Sequence, residues 1–296
     1  MQVEEMMNKL GIVIVNYNSQ NVILGCLKSL RDAGDFLSHT LIVDNRSQDI
    51  SSDVIKKAYP QIKILKLNRN FGFGTANNYG IKYHLEKGAE YIFLLNPDTS
   101  VGKNSIKILL KGIDKHKRYG ICGPKIYSKD KIIWSCGGLL DKKRYSGGLI
   151  GLGEIDGGQY EDIRKVDFVS GTAMLIKREV FEKIGFFSGE YFLYYEDVDL
   201  CFRARQVGYE VVYIPAANIN HLGSGTIVRN SPMHQYYMAR NHLLFIEKYA
   251  QRKTFLREIL RMPKTVYEHY YKKEKYAILG IYDYLLRRFG KSGYWH

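Results

Sequence analysis

The first hundred residues alternate short apolar runs with amphipathic segments. Residues 11–19, GIVIVNYNS, form a β-branched run that ends in turn-forming Asn and Ser, which predicts a buried strand. Residues 22–34 carry apolar side chains at roughly helical spacing and stop at a glycine, which predicts a helix. Further apolar runs at 40–45, 63–67 and 91–96 predict three more strands. Strands that alternate with helices imply a parallel sheet with right-handed crossovers.

Each of these four predicted strands ends at or beside a polar side chain. The residues are Asn16, Asp44, Asn68 and Asn96. In parallel α/β sheets, ligands bind in the crevice beyond the carboxyl ends of the strands. The pattern therefore predicts that these four side chains converge on one ligand-binding crevice.

The regular alternation loosens after the first hundred residues. The stretch 137–158 holds eight glycines and is polar and irregular, which is typical of a mobile loop over a site. Residues 166–181 predict a strand that enters a helix, and 210–223 predict two short strands around Pro215. From His234 onwards the pattern is helical, with many aromatic and basic side chains.

Composition and charge fit a globular α/β protein with a basic surface. The chain has 296 residues, of which 45% are hydrophobic and 25% are charged. Lys and Arg exceed Asp and Glu by 44 − 30 = 14, and residues 251–296 contribute 11 − 4 = 7 of this excess. A basic balance favours polyanionic partners such as nucleic acid, an anionic membrane face or a phosphorylated substrate.

The cysteines and the N-terminal segment predict a cytoplasmic protein. Four cysteines without C-x-x-C spacing (Cys26, Cys122, Cys136 and Cys201) suggest neither a disulfide framework nor a thiolate zinc site, and fit a reducing compartment. The first ten residues lack the basic region and apolar run of a signal peptide. No apolar run approaches the roughly 20 residues that cross a bilayer, so we expect any membrane contact to be peripheral.

The glycine segment FGFGTANNYG does not complete a dinucleotide fingerprint. Gly72 and Gly74 have the right spacing, but Asn77 occupies the third position, and the first strand–helix turn, NYNSQN, has no glycine. Two interpretations stay open. The glycines ease a turn into a helix, or the helix N-terminus presents backbone N–H groups to an anion.

The segment LLNPDTS, residues 94–100, is a candidate metal site. Pro97 fixes the backbone and ends the strand, which would direct Asp98 into the crevice. Carboxylate oxygens suit Mg²⁺ or Mn²⁺, which bind through one or two carboxylates together with substrate phosphates. The alternative is an Asx turn that caps the next helix.

The segment FLYYEDVDLCFR, residues 192–203, contains three carboxylates in four positions. Acids in the first turn of a helix interact favourably with its dipole by roughly 0.3–1 kcal/mol each. In this interpretation Asp199 and Arg203 form a surface i,i+4 pair. Gly208 ends the helix. The buried stripe of the helix would then comprise Leu200, Cys201, Ala204 and Val207.

A helix start does not explain why two tyrosines precede the acids. Tyr194 and Tyr195 would make a partly dry pocket around Glu196 and Asp197. Such a pocket raises the pKa of a carboxyl group toward the value that a general base needs. The segment is therefore also a candidate catalytic site.

Six segments, taken together, carry a family resemblance. They are IVIVNYNS, LIVDNRSQD, NRNFGFGTANNYG, FLLNPDTSV, FVSGTAMLIKREVFEKIGFF and FLYYEDVDLCFRARQVGY. In this order they resemble family 2 glycosyltransferases, most of all the bacterial rhamnosyltransferase-like members that build surface polysaccharides. The resemblance covers residues 9–241. It implies a GT-A fold, in which helices flank a Rossmann-like, nucleotide-binding mixed sheet. Residues 1–245 would form the catalytic domain and 246–296 a basic, aromatic helical extension.

The resemblance also implies roles for residues at the strand ends. Asn16, Tyr17 and Asp44 would hold the pyrimidine base of the donor, with Asn77 and Asn96 also on the donor nucleotide. A carboxylate can accept the N3–H of uracil or thymine, and a tyrosine ring can stack on the base. One position departs from the family pattern, because its usual metal motif is Asp-x-Asp and here the first position is Asn96.

The metal and catalytic roles follow from the same resemblance. Asp98 would ligate Mg²⁺ or Mn²⁺, and His221 would complete the metal shell or serve only a structural role. The small turn 223–225 could approach phosphate oxygens through its backbone. Asp197 would act as the general base, and Glu196 would orient the acceptor or Asp197. The reaction implied is one in-line displacement with inversion.

The expected substrates are a nucleotide-sugar donor and a glycan or lipid-linked glycan acceptor. dTDP-rhamnose is the first expected donor, with UDP-hexoses second. The basic tail either binds the anionic inner face of the cell membrane, caps the core, or packs a homodimer. Nucleic-acid binding is disfavoured because no recognition module accompanies the charge. A nucleotidyltransferase is disfavoured because the turn NYNSQN lacks the basic, glycine-rich phosphate loop of such enzymes. A non-catalytic nucleotide-sugar-binding or scaffolding protein is supported only by the departure from the metal motif at Asn96.

Overall fold

A computed structural model describes residues 3–128, 131–222 and 231–295. Within these ranges the helices are α1 Val3–Asn8, α2 Ile23–Asp32, α3 Ser51–Ala58, α4 Phe73–Glu86, α5 Ser105–Asp114, α6 Arg178–Ile184, α7 Glu196–Gln206, α8 Pro232–Tyr249, α9 Arg252–Tyr271 and α10 Lys275–Leu285. The strands are β1 Leu10–Asn16, β2 Thr40–Asp44, β3 Lys63–Lys66, β4 Tyr91–Leu95, β5 Thr99–Val101, β6 Tyr119–Tyr127, β7 Ile133–Ser135, β8 Gly138–Leu140, β9 Gly147–Leu149, β10 Arg164–Val166, β11 Ala173–Lys177 and β12 Glu210–His221.

Most strands form one mixed sheet in the order β10-β12-β6-β11-β4-β1-β2-β3, with β5 beside β12 and β7 beside β6. Strands β3, β2, β1 and β4 run parallel, which confirms the prediction from the alternating pattern. Strand β11 pairs antiparallel with both β4 and β6. It joins the parallel half to the rest of the sheet and brings the turn before it, 170–172, to the carboxyl end of β4.

Helices cover both faces of the sheet, so every residue of β1 is buried. Alternate residues of a strand point to opposite faces. Accordingly Ile12 and Ile14 belong to the apolar cluster that includes α2 and α5, whereas Val13 and Val15 belong to the one that includes α4 and α7. Helix α4 comes very close to β1, because a Cβ atom at Gly80 would lie only 2.4 Å from Val13 Cγ1.

The segment around Pro215 differs from the prediction. Residues 210–221 form the single strand β12 instead of two short strands, and its register with β6 shifts between Ile214 and Asn218. Proline has no N–H group to donate to a neighbouring strand. The irregularity accommodates Pro215 without ending the strand, and β12 thereby carries His221 to the carboxyl end of the sheet.

The glycine-rich stretch also differs from the loop that its composition predicts. It contains the antiparallel hairpin β8–β9, with Gly138 opposite Leu149. The residues that follow are held by Lys125, whose buried Nζ lies 2.9 Å from Asp156 Oδ2 and also contacts Glu161. These ion pairs depend on a lysine of β6, which local composition does not reveal.

The C-terminal segment is helical, as expected. Helix α8 buries one face, on which Phe245 packs against Phe202 of α7, and α10 packs along α8. Helix α9 is largely exposed, with Met262 its only buried residue. The expected domain boundary at 245/246 lies inside α8. In the three described ranges, no helix combines the length and the apolar character needed to cross a membrane.

Candidate active site

The turn before α7 has an unusual backbone conformation. Phe192, Tyr194 and Tyr195 have φ angles of 62°, 65° and 72°, in the left-handed region that non-glycine residues rarely occupy. Each such residue costs on the order of 1–3 kcal/mol unless surrounding contacts hold it. Glu196 and Asp197 directly follow this turn and are the first two residues of α7.

Asp197 is half-buried, and its carboxylate is held by two backbone N–H groups. Gly171 N donates to Oδ2 at 3.0 Å, and Val198 N donates to Oδ1 at 2.8 Å. Burial raises the pKa of the Asp197 carboxyl above its ordinary value, and these two donors partly offset the increase. A partly exposed carboxylate with a raised pKa is suited to accept a proton.

Glu196 lies deeper, at 4% exposure. Its Oε2 has no hydrogen-bond partner among the described residues. Burial, followed by the nearby negative charge of Asp197, raises the pKa of the Glu196 carboxyl well above its usual range. The two adjacent carboxyl groups therefore have different environments, and the more exposed one is Asp197. The expected role of the two tyrosines stays a prediction, since their rings pack against His234 and His242 of α8.

We expect the replacement Glu196→Gln to stabilise the protein increasingly as pH rises. A carboxyl whose folded pKa exceeds its unfolded value, about 4.3, binds more protons in the folded state than in the unfolded state between the two pKa values. The stability of the wild-type protein therefore falls through that window, and glutamine removes this loss. Thermal unfolding of both proteins from pH 4 to pH 9 measures the effect, and a difference that does not change with pH would contradict the buried-acid assignment.

The predicted i,i+4 pair of Asp199 and Arg203 is present, but its predicted surface location is wrong because Asp199 is buried. Its Oδ2 accepts a hydrogen bond from Arg203 Nε at 2.8 Å. Its Oδ1 accepts hydrogen bonds from Tyr191 at 3.0 Å and Tyr249 at 2.6 Å. The last of these bonds joins α7 to α8, which sequence spacing within α7 cannot show. The predicted burial of Val207 is also wrong, because this residue is 43% exposed at the end of the helix.

The predicted nucleotide residues Asn16 and Asp44 are neighbours at the ends of β1 and β2. Asn16 Nδ2 donates to Asp44 Oδ1 at 3.3 Å and to Ser51 Oγ at 2.8 Å. Asp44 Oδ2 accepts from Ser52 Oγ at 2.9 Å. Sequence reasoning missed both serines, although the polar run SQDISS directly after the second strand was a signal. The cluster is a pre-formed set of donors and acceptors at the predicted crevice.

The other predicted donor residues are placed differently. Tyr17 directly follows β1 and is half-buried. Asn68, which was predicted only as a strand-end side chain of the crevice, follows β3 and is exposed. Asn77 is buried on α4, and its side-chain amide donates to the Phe73 carbonyl at 3.0 Å. The Asn77 amide thus hydrogen-bonds to the backbone of its own helix. Among these residues, Tyr17 is the one adjacent in sequence to the Asn16–Asp44 cluster.

The glycines of FGFGTANNYG serve close packing. Gly72 has a φ of 81°, and a Cβ atom there would lie 2.2 Å from the Phe192 carbonyl oxygen. Phe73 N donates to that oxygen at 2.8 Å, and Gly72 N donates to Asn70 Oδ1 at 2.9 Å. Because these N–H groups have internal acceptors, the structure favours the glycine-eased turn over an anion site at these positions.

The predicted metal residues Asp98 and His221 are in contact. His221 Nε2 lies 3.2 Å from Asp98 Oδ2, and strand pairing places His221 opposite Thr99. The next element after Asp98 is strand β5, so the alternative of a helix cap is wrong. A carboxylate oxygen beside an imidazole nitrogen fits Mg²⁺ or Mn²⁺. No group of three His, Cys, Asp or Glu side chains in the described ranges could hold the ion alone, so the remaining ligands would come from elsewhere.

The turn 170–172 joins the metal residues to the carboxylate pair. Gly171 N donates to Asp197, and the carbonyl of the adjacent Thr172 accepts from Asn96 N at 2.9 Å. Asn96 is half-buried and lies two residues before Asp98. The base candidate and the metal candidates therefore lie beside one turn, at the carboxyl end of β4. The turn 223–225 lies outside the described residues.

A second link joins the nucleotide cluster to the same region. Asn45 N donates to the Asn16 carbonyl at 2.8 Å, and Asn45 Nδ2 donates to the Gly72 carbonyl at 3.3 Å. The next residue, Phe73, bonds to the Phe192 carbonyl in the turn that precedes α7. A chain of hydrogen bonds thus connects the predicted base-binding residues at the ends of β1 and β2 to the turn that precedes the carboxylate pair.

Comparison with known proteins identifies relatives of this arrangement. A model of the family described as Glycosyl transferase family 2 matches residues 11–185. The dTDP-rhamnosyl transferase RfbF of Shigella flexneri is 30% identical over 244 residues, which cover 80% of this chain and 79% of the relative. The N-acetylglucosaminyl-diphospho-decaprenol L-rhamnosyltransferase of Mycobacterium tuberculosis is 28% identical over 248 residues, or 77% of this chain and 81% of the relative.

Solved structures share the fold. A crystal structure of GalNAc-T7 with UDP, GalNAc and Mn²⁺ superposes with a TM-score of 0.63 at 16% identity, covering 81% of this chain and 47% of that one. At this identity the similarity concerns the fold alone. It agrees with the mixed, helix-flanked sheet described above, and the expected GT-A fold class is confirmed.

Proposed function

The chain belongs to glycosyl transferase family 2, and from this premise we propose that it is an inverting enzyme whose general base is Asp197. The observation that carries the proposal is the turn 170–172, which holds the Asp197 carboxylate on one side and Asn96, near Asp98, on the other. A base and a diphosphate site must lie on opposite sides of the reacting carbon in a single displacement. One short turn that contacts both sides suits that geometry.

In the proposed reaction the Asp197 carboxylate accepts the proton of an acceptor hydroxyl. The oxygen forms a bond to the anomeric carbon as the bond from that carbon to the diphosphate oxygen breaks. The nucleoside diphosphate leaves with the bonding electrons, and the configuration inverts because the acceptor attacks from the opposite face. The raised pKa of Glu196 favours its neutral, protonated form. In that form Glu196 would orient the acceptor or Asp197 by a hydrogen bond.

The residues around Asp98 fit a divalent cation. Asp98 and His221 would hold Mg²⁺ or Mn²⁺, with Asn96 as a neutral oxygen ligand and the donor diphosphate as the remaining source of oxygens. When bound, the ion would supply positive charge for the departing diphosphate. With one carboxylate in place of two, we expect the ion to bind mainly together with the donor.

The proposed donor is dTDP-rhamnose, with a UDP-hexose as the alternative. Two relatives that match most of the chain are named for rhamnosyl transfer, one of them with dTDP in its name. The same M. tuberculosis relative is named for a diphospho-decaprenol substrate. We therefore propose a glycan or lipid-linked glycan acceptor for this chain as well.

The test is a donor panel of dTDP-rhamnose, UDP-galactose, UDP-glucose and UDP-N-acetylglucosamine, assayed by thermal shift with and without Mn²⁺. Stabilisation by one nucleotide sugar above the matching free nucleotide identifies the donor, since only a ligand of the folded state raises the midpoint. The anomeric configuration of the product, read by NMR, tests inversion. Retention of configuration, or no stabilisation by any nucleotide or nucleotide sugar, would refute the proposal.

We further propose that α9 and α10 bind an anionic membrane face on the cytoplasmic side. Helix α9 exposes Leu260, Tyr267 and Tyr271 and carries five basic and two acidic residues, which contribute +3 to the net charge of +7 in residues 251–296. Exposed aromatic and aliphatic side chains among basic ones suit the headgroup region, and anionic lipid complements the charge. Such binding would bring the active site to a lipid-linked acceptor.

Liposome flotation tests this surface. We expect the protein to float with anionic vesicles at low salt and to be released at about 0.5 M NaCl, because salt screens the attraction. Leu260→Glu should weaken flotation, whereas the matched change Ile155→Glu, at an exposed aliphatic residue of the glycine-rich stretch, should not. A protein that stays in solution, or that forms a dimer through these helices, would exclude the membrane proposal.

A further inference from the structure

The strained turn before α7 is held by two buried polar side chains of α8. Asn241 is fully buried, and its Nδ2 donates to the carbonyls of Tyr191 at 2.9 Å, Leu193 at 2.8 Å and Tyr194 at 2.8 Å. All three acceptors lie in the residues that lead directly into Glu196. Because the amide nitrogen carries two hydrogens, one of them is shared between two of these three carbonyls.

Arg240 holds the same turn from the adjacent position. Its Nη2 donates to the carbonyls of Glu190 at 3.1 Å and Tyr191 at 2.9 Å, and its Nε donates to Asn241 Oδ1 at 3.0 Å. The last bond fixes which end of the Asn241 amide faces the turn. Arg240 is 1% exposed, and its guanidinium lies 4.8 Å from the centre of the Tyr237 ring.

The C-terminal residues complete this arrangement. Arg240 Nη1 donates to the Gly290 carbonyl at 2.8 Å, and Gly290 N donates to the Glu190 carbonyl at 2.8 Å. Gly290, after α10, therefore contacts both the arginine and Glu190, two residues before the turn. The region beyond the family match at 11–185 thus contributes directly to the backbone that presents the carboxylate pair.

We propose that Arg240 and Asn241 are positioning residues, which set the left-handed backbone of Phe192, Tyr194 and Tyr195 and thereby place Asp197 against the acceptor. This inference rests on the proposed role of Asp197. Left-handed residues other than glycine persist only where surrounding contacts hold them. The two side chains donate to the carbonyls of Glu190 and Tyr191, just before that turn, and of Leu193 and Tyr194 within it. A base misplaced by about 1 Å can cost about 10²-fold in rate.

The central test is Asn241→Asp, which keeps the side-chain shape but replaces the donating amide with a carboxylate facing three carbonyls. We expect kcat to fall about 10²-fold. Affinity for dTDP and UDP should stay within about threefold, because their predicted site lies on β1 and β2. Hydrogen exchange of a peptide spanning 190–198 should accelerate selectively. If this variant does not fold, Arg240→Lys, which keeps the charge but loses the planar fork, gives the same readouts.

The matched control is Tyr236→Phe. Tyr236 is buried on the same helix, but its hydroxyl donates to Asp283 Oδ2 of α10 and not to the turn. We expect this variant to lose thermal stability while kcat and exchange of residues 190–198 stay unchanged.

The possible outcomes separate this inference from the proposed function. Unchanged exchange of residues 190–198 in both Asn241→Asp and Arg240→Lys would overturn the inference, and so would equal effects in the Tyr236→Phe control. The exchange readout needs no acceptor. If Asp197→Asn is inactive while a folded Asn241→Asp retains full kcat, the inference alone fails. If Asp197→Asn is active, the proposed function fails.

Discussion

The variant Asp197→Asn is expected to lower kcat by about 10³–10⁴-fold while nucleotide binding survives. Asparagine has nearly the same shape, and its single amide oxygen can accept from Gly171 N or from Val198 N but not from both, so one of the two backbone hydrogen bonds is lost while the nucleotide residues on β1 and β2 are untouched. It cannot accept a proton at neutral pH, and general bases contribute up to about 10⁴-fold to rate. Single-turnover transfer assays, combined with calorimetric titration of dTDP and UDP, separate the chemical step from binding.

The dependence of kcat/KM on pH gives a second test of Asp197 as the general base. Because burial raises the pKa of Asp197, the acidic limb of kcat/KM in the wild-type enzyme should lie above the ordinary aspartate value of about 3.9. Activity rises with pH through that limb as the carboxyl loses its proton. The residual activity of Asp197→Asn should lack the limb.

Asp199→Asn is the matched control, since it changes an acid two residues away on the same helix. Asp199 accepts hydrogen bonds from Arg203, Tyr191 and Tyr249. Its replacement should therefore lower the thermal midpoint of unfolding and have a much smaller effect on kcat. If Asp197→Asn retains kcat within about tenfold of wild type, Asp197 is not the general base.

Local patterns predicted the part of the site that lies on adjacent parallel strands. The apolar runs placed Asn16 and Asp44 at strand ends, and parallel pairing then makes them neighbours. The acids at the start of α7 were also predictable, because a helix-start pattern and two preceding tyrosines are both visible in the sequence. In each case the information lies within a few residues or follows from a general rule of sheet packing.

Long-range contacts account for what the sequence did not show. Asp199 looks like a surface acid until Tyr249, fifty residues later, donates to it. Arg240 and Asn241 lie among the buried residues of α8 between Tyr237 and Leu244, and polar residues at such positions were the available signal for the turn that they hold. The acceptors of these two residues are backbone carbonyls, which carry no residue identity, so no pattern in the sequence names them.

The glycine-rich stretch illustrates a further limit. Its composition favours an irregular loop, yet part of it forms the hairpin β8–β9. Lys125, more than thirty residues before its partner Asp156, is buried and holds the segment that follows the hairpin. Burial of a lysine is unfavourable unless it is paired, and the pairing depends on tertiary structure.

The metal site gives the second large expected effect. Asp98→Asn is expected to lower kcat/KM about 10²-fold at a fixed Mn²⁺ concentration and to shift the Mn²⁺ midpoint to higher concentration. Asp98 is the one carboxylate in contact with His221 among the described residues, and its loss leaves neutral ligands only. Hard divalent cations depend strongly on the number of charged oxygen ligands. Calorimetric titration of UDP and dTDP with and without Mn²⁺ gives a readout that is independent of transfer.

The variant Asn96→Asp makes the opposite change, because it adds a carboxylate where Asp98→Asn removes one. It restores the Asp-x-Asp pattern of the family with a second carboxylate two residues before Asp98, and the half-buried position of Asn96 leaves room for hydration of the new charge. We expect tighter Mn²⁺ binding in the presence of nucleotide, by about tenfold or more. His221→Gln should fall between wild type and Asp98→Asn, because it removes a neutral ligand and keeps the charge. If Mn²⁺ strengthens nucleotide binding equally in all four proteins, neither Asp98 nor His221 holds the ion, and the metal assignment is wrong.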